Sequence, residues 1–305
     1  MNSIAIILGI TLMYATPLIY TSLGGAMSEN AGVVNIGLEG MMTFGALIAA
    51  TVAYYTKNPW LGFFAGGLGG MFLALLHAIA TVSFQADHVI SGTAINFIGP
   101  GLSLFLCRAF FEGAAQTRTV PSEGLMPKPL SGVFTQNSIP DIILNQPITV
   151  YLAFLTVAII WFVLFKTKLG LRIRSVGEHP KAADTLGINV KKIKYISVLA
   201  SGFLAGLGGA SLSIAIVSSY RVSLVSGQGF IALAALIFGN WKPQGAFASC
   251  LIFGLAQGLV VFFGQRGVNT ALINMLPYAL TMIVLIVFVG ESRGPSANGV
   301  PYEKE

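Results

Sequence analysis

Nine apolar runs follow one another along the chain, at about 4–27, 32–55, 61–84, 89–111, 147–166, 195–217, 229–240, 244–264 and 273–290. A helix needs roughly 20 mostly apolar residues to cross a bilayer. The seventh run is too short to span as a simple helix. The pattern predicts an all-α fold: a polytopic transmembrane helix bundle of about 8–10 spans, with broken or re-entrant helices. Residues 1–305 read as one transmembrane domain, with an external loop at 112–146 and a cytoplasmic loop at 167–194.

Composition strengthens this reading. Apolar residues make up 55% of the chain and charged residues 9%, against about 25% charged in a soluble domain. Mean hydropathy is +0.80. So few charges cannot cover a water-soluble globule, and the chain reads as a multi-pass protein of the cell membrane. The net charge of +6 is not a nucleic-acid signal. Lys166–Lys194 holds eight of the seventeen Lys and Arg residues with only Glu178 and Asp184, and accounts for all of the excess. A basic block between apolar runs marks a cytoplasmic loop. Counting outward from it puts Lys242, Arg293 and Lys304 on the same side. Lys57, Arg118, Lys128, Arg221 and Arg266 fall on the other, eleven against five. With nine crossings the N-terminus is external and the C-terminus cytoplasmic. The first basic residue is Lys57, so a signal-peptide n-region is missing and the first run is expected to stay in the mature protein. Cys107 and Cys250 lie in apolar runs and read as small core residues, with no metal-ligand pattern.

The 112–146 loop carries Pro121, Pro127, Pro129 and Pro140, which oppose a long helix. It is either a docking surface for an external partner or an ordered connector. Thirty-six glycines cluster inside the runs. Gly202 and Gly206 form a GxxxG pair, with Gly209 offset along the same helix, the pattern that lets transmembrane helices approach closely. Asn58-Pro-Trp-Leu-Gly62 after the second run has a short echo in Asn240-Trp-Lys-Pro-Gln-Gly245 after the seventh, on the opposite side. That placement suits an inverted repeat, a transporter habit.

Polar residues inside apolar runs are the candidates for function. Ser28–Gly45 places Glu29, Asn30, Asn35 and Glu39 among Gly32, Gly37 and Gly40. An ionisable group in a span is costly and by default marks function. Glu39 is therefore either a pathway or gate residue, or an anchor taking hydrogen bonds from loop backbone near the cytoplasmic interface. In Ala86–Asn96, Ser91, Thr93 and Asn96 are expected along one side of the fourth span. Asp87 and His88 at its mouth could relay protons, but cap the helix end on the simpler reading. His77 reads as a hydrogen-bonded packing residue. In the basic loop, Pro180 suits the first turn of a short helix and Gly187 its end. Ala182, Ala183 and Leu186 are expected on one face for a partner groove, with Glu178, Lys181 and Asp184 at the rim. No G-x-x-x-x-G-K-[ST] loop, metal cluster or nucleophile–base pair is present, so the chain is not read as an enzyme.

Asn35–Gly40, Ser91–Asn96, Gly177–Ile188 and Ser201–Gly206 resemble the inner-membrane permeases of ABC importers. The similarity is to the superfamily with ribose-type and branched-chain amino-acid permeases, and within it to the nucleoside or simple-sugar branch that works with basic-membrane-protein-type lipoproteins. The resemblance implies that this chain forms half of a translocation path. A second permease, expected to make a heterodimer, supplies the other half. ATPase subunits, which bind the ATP, grip a coupling helix matching Glu178–Gly187, and an extracytoplasmic lipoprotein delivers the solute. No cofactor is expected in this chain. Phe44, Phe97 and Phe230 are candidates for contact with a nucleobase, each with core packing as the simpler role. The alternative is an ion-coupled secondary transporter using Glu39 and Asp87; a non-transport scaffold is a further rival. Neither explains the coupling-type loop.

Overall fold

The computed structural model describes residues 3–136, 138–264, 275, 279, 282 and 293–303. The ninth apolar run, 273–290, therefore lies almost wholly outside the described residues, as do Arg266 and Lys304. Eleven α-helices occur among the described residues: α1 Ser3–Glu29, α2 Leu38–Thr56, α3 Pro59–Ala78, α4 His88–Phe110, α5 Ile139–Leu144, α6 Ile148–Lys166, α7 Lys168–Glu178, α8 Pro180–Thr185, α9 Val190–Ser211, α10 Gln228–Phe238 and α11 Pro243–Gly264. A π turn extends α3 over Ile79–Ser83 and another extends α9 over Leu212–Ile216. Seven of these helices are long and apolar enough to cross a membrane: α1, α2, α3, α4, α6, α9 and α11. They match the first six runs and the eighth.

Local chemistry sets where the helices begin. Asn58 caps α3, its side chain accepting from Trp60 N and Leu61 N, with Pro59 in the first turn where no donor is needed. Asp87 caps α4 through Val89 N and Ile90 N. Asn189 caps α9 through Lys192 N, and Thr167 caps α7 through Gly170 N.

The seventh run forms α10, and it is a half-helix. Its 11 residues rise about 16 Å, half of a roughly 30 Å hydrocarbon core. The chain returns from the end of α9 through non-helical residues 217–227 before α10 starts. A second interruption, residues 30–37, separates α1 from α2 and is mostly buried. Irregular backbone inside a membrane survives only where protein satisfies it.

Glycine contacts fix the helix pairing. A Cβ on Gly206 would run into the Gly66 carbonyl, and one on Gly202 would strike Gly70 and Ala74, so α9 lies directly on α3. A Cβ on Gly209 would meet the Met42 carbonyl of α2. On the far side, Gly254 of α11 packs against Ala15 of α1, and Gly258 against Thr11. The two triplets α1–α2–α3 and α9–α10–α11 thus pair alike: α3 on α9, and α11 on α1. They run in opposite directions. Each has a non-helical break before its second helix, buried at 30–37 and largely open at 217–227, and a proline-started third helix after a left-handed residue, Lys57 (φ 53°) in one and Trp241 (φ 55°) in the other. The Asn58 and Asn240 segments sit at equivalent corners of this inverted arrangement.

Candidate functional site

Asn35, His77, His88, Ser91 and Asn96 converge on the 30–37 break. Asn96 of α4 closes it at two points: its Nδ2 donates to Ile36 O (2.9 Å) and its Oδ1 accepts from Gly40 N (2.9 Å). Val34 N donates to His88 Nδ1 (3.3 Å), and Val34 O lies 3.1 Å from His77 Nε2. The carbonyl partner puts the His77 proton on Nε2. Nδ1 then accepts from Ser91 Oγ at 2.8 Å. Both histidines are thereby committed to bracing the break. Asn35 is fully buried, and its Nδ2 donates to Ser201 Oγ on α9 (2.9 Å). Ser28 Oγ donates to Val33 O (2.6 Å).

Replacing Asn96 with Leu should leave Ile36 O and Gly40 N without these partners. At about 1–3 kcal/mol per buried unsatisfied group, a clear fall in the melting temperature of the purified protein is expected. A melting curve identical to wild type would show that the break does not depend on Asn96.

Glu39 sits in the first turn of α2 and bonds across to α10. Oε1 accepts from Gly227 N (2.6 Å) and Oε2 from Gly229 N (2.7 Å). A carboxylate at a helix N-terminus meets unpaired N–H groups and the positive end of the dipole. Glycine is required opposite it: a Cβ on Gly229 would lie 2.6 Å from the Glu39 backbone. Glu39 therefore takes backbone hydrogen bonds, one of its two sequence readings. They come from the turn residue Gly227 and from Gly229 in the first turn of α10. Asp87, the other carboxylate of the ion-coupled alternative, is spent on capping α4.

Ser91, Thr93 and Asn96 do not share one side of α4. Two residues along a helix are roughly 200° apart. Ser91 and Asn96 bond inward, whereas Thr93 is exposed and bonds only to its own helix at Val89 O. Phe44 is core, 5% exposed, while Phe97 at 76% and Phe230 at 48% are not. For those two, core packing is excluded.

At the basic end, Pro180 opens α8, and Gly187 (φ 81°) ends it with Gly187 N on Asp184 O (2.8 Å) and Ile188 N on Ala183 O (3.1 Å). This paired closure is the Schellman cap. Ala182 and Leu186 face outward, Leu186 at 82% exposed, with Glu178, Lys181 and Gly187 exposed beside them and Asp184 half-buried. Ala183 does not join that face. It is 3% exposed, because adjacent helical positions diverge by about 100° and α8 must rest one side on the body.

Two sets of contacts at this end join residues far apart in the chain. Trp241, at the α10–α11 corner, donates from Nε1 to Glu29 Oε2, and Asn30 Nδ2 donates to Trp241 O (3.1 Å). The segment 293–303 lies beside α8. Ala297 N bonds Gly177 O (2.8 Å), Ser296 Oγ bonds Glu178 Oε2 (2.7 Å), and Asn298 Nδ2 bonds Glu29 Oε2 (3.2 Å). A groove of about 760 Å³ runs between Pro180–Ala182 and Val300–Tyr302. Only the small polar string Ser296-Ala-Asn-Gly299 hinted at so close a fit.

A broken-helix membrane bundle with an outward-facing helix on its basic end has the parts of a transport subunit. The comparisons agree. Residues 7–285 match the model of the branched-chain amino acid transport system permease component. The chain belongs to that permease family. The permease is 43% identical to the nucleoside ABC transporter permease protein NupC of Lactococcus lactis, over 99% of this chain and 98% of that one. It is also 43% identical to the guanosine ABC transporter permease protein NupQ of Bacillus subtilis, over 99% and 97%. Among solved structures, an inward-facing metal-chelate type ABC transporter aligns with a TM-score of 0.51 at 13% identity, covering 92% of this chain and 84% of that one. At that identity the likeness concerns the fold alone. The permease is a multi-pass membrane protein of an ABC importer, and its family works with an ATPase and a substrate-binding protein.

Proposed function

We propose that this permease forms one half of the translocation path of an ATP-driven nucleoside importer. Separate ATPase subunits bind and hydrolyse the ATP and hold α8 through Ala182, Leu186 and their neighbours. A second, different permease completes the path, and an extracytoplasmic lipoprotein delivers the nucleoside. The observation that carries the substrate class is 43% identity across almost the full chain to two permeases named for nucleosides and guanosine. The geometry supports the coupling half of the reading: α8 presents an exposed apolar residue, Leu186, on a helix started by Pro180 and closed at its C-terminal end by the Gly187 cap. Glu39 acts as the gate staple, holding α10 against α2, while Asn35, Ser91 and Asn96 brace the break beside it and Thr93 faces the path.

The complex reconstituted with its lipoprotein and ATPase is expected to take up labelled guanosine, with excess glucose leaving the rate unchanged. Uptake of glucose but not of any nucleoside would overturn the substrate class. Glu39→Gln keeps the shape but turns an amide N–H₂ toward one glycine N–H. Uptake is expected to fall about tenfold, the equivalent of about 1.4 kcal/mol, and the residual uptake should survive a protonophore while ATP lasts. Loss of uptake on collapsing the gradient in the wild type would instead favour ion coupling.

A further inference from the structure

We propose that the outward faces of α4 and α10, on either side of the Glu39–Gly40 step, are the wall that the solute touches, with Phe97 and Phe230 as its contacts for a flat heterocycle. The inference rests on the nucleoside reading and adds to it the surface and the residues.

Among the described residues, the open faces of α3 and α6 are uniform. The exposed positions of α3 include Phe64, Leu68 and Phe72, and those of α6 include Leu155, Ile159 and Phe162. These are lipid-facing surfaces in composition. The open face of α4 differs. It carries Thr93, Gly101 and Arg108 among its apolar residues, and a cleft of about 450 Å³ opens between Gly101, Phe105 and Arg108. Thr93 lies within the span, and Arg108 sits in the last turn of α4, where a long basic side chain reaches water from the helix end. The lead-in to α10 is likewise polar, with Ser223 and Ser226 exposed before Phe230.

Backbone contacts join these faces at one place. A Cβ on Gly40 would lie 3.0 Å from the Asn96 Cα, and one on Gly229 would lie 2.6 Å from the Glu39 Cα. Phe97 and Phe230, both exposed, each follow directly the residue whose backbone meets this one dipeptide. Aromatic rings hold a passing base by stacking without demanding a particular one, a contact worth about tenfold or more in binding. Glu39, with both oxygens held by Gly227 and Gly229, fixes the start of α10 against α2.

The test is the accessibility of single cysteines to a charged methanethiosulfonate reagent in the lipid-reconstituted complex. Native Cys107 and Cys250 are both 0% exposed, which keeps the background low. Phe97→Cys and Phe230→Cys are expected to react at least tenfold faster than Phe72→Cys and Phe162→Cys, and saturating nucleoside with its lipoprotein should slow that reaction. Reaction no faster than the two controls would overturn the proposal, because the face would then be lipid. Reaction that nucleoside leaves unchanged would also overturn the assigned contact. In parallel, Phe97→Ala and Phe230→Ala should each lower nucleoside uptake about tenfold with ATPase assembly intact, and Phe97→Trp should restore it. Full uptake by both alanine variants would contradict the stacking role. If the wild type moves nucleosides while the cysteines stay silent, only this inference fails. If it moves no nucleoside, the reading beneath it fails as well.

Discussion

Leu186→Glu and Ala182→Arg should each uncouple the permease from its ATPase while leaving the membrane bundle intact. Both side chains point away from the body, Leu186 at 82% exposed. Neither substitution fills a core position or removes a hydrogen bond. A central contact of an interface is worth about 2 kcal/mol or more, so affinity for the ATPase should fall roughly thirtyfold and ATP-driven uptake with it. Melting temperature and membrane insertion should match the wild type. Ala183→Arg is the informative contrast. It drives a guanidinium into a site that is 3% exposed, so it should lower the melting temperature before any question of docking arises. Co-purification of ATPase with each variant, beside a melting curve, separates the two effects. Normal ATPase capture by both Leu186→Glu and Ala182→Arg would remove α8 from the coupling role.

Gly206→Leu should abolish the folded protein altogether. Gly206 meets backbone on two sides: its own Cβ would strike the Gly66 carbonyl, and a Cβ on Gly45 would lie 2.5 Å from the Gly206 Cα. Ordinary overpacking costs about 1–3 kcal/mol because side chains can rotate aside. Here α2 and α3 must both move, and every contact along the α9 stripe loosens with them. Against a total stability of about 5–15 kcal/mol, loss of monodisperse protein in detergent is expected. Gly101→Leu on the open face of α4, where an added Cβ meets nothing within 4 Å, should purify normally. Comparable yields of the two variants would show that the α3–α9 crossing tolerates separation.

The spans, the caps and the basic loop were legible in the sequence because each is a local signal. Apolar runs report burial in lipid. Asp87 announces a helix start by side-chain chemistry acting within three residues. The short seventh run already implied a broken crossing. What stayed hidden depends on partners far along the chain. Glu39 meets Gly227 and Gly229 from 188 and 190 residues away, and Glu29 meets Asn298 from 269. No periodicity encodes such pairs. A membrane interior rewards them nonetheless, because a carboxylate or an open carbonyl there has no water to turn to. The facing of Ala183 was misjudged for another reason. α8 has six residues, too few for the amphipathic pattern that sets the phase of a longer helix. The rings on α4 and α10 show the same limit from the other side: Phe44, Phe97 and Phe230 look alike in sequence, and only the fold buries the first and opens the other two.

The central claim, that this bundle moves solute only when a separate ATPase works on α8, is tested most directly in sealed proteoliposomes. Labelled nucleoside and the binding lipoprotein are placed outside, with ATP inside. Complexes are compared with and without the ATPase subunits, and with and without nucleotide. The account predicts uptake above background only when both ATPase and ATP are present. Uptake at the full rate from vesicles holding permease alone, with no nucleotide, would contradict it.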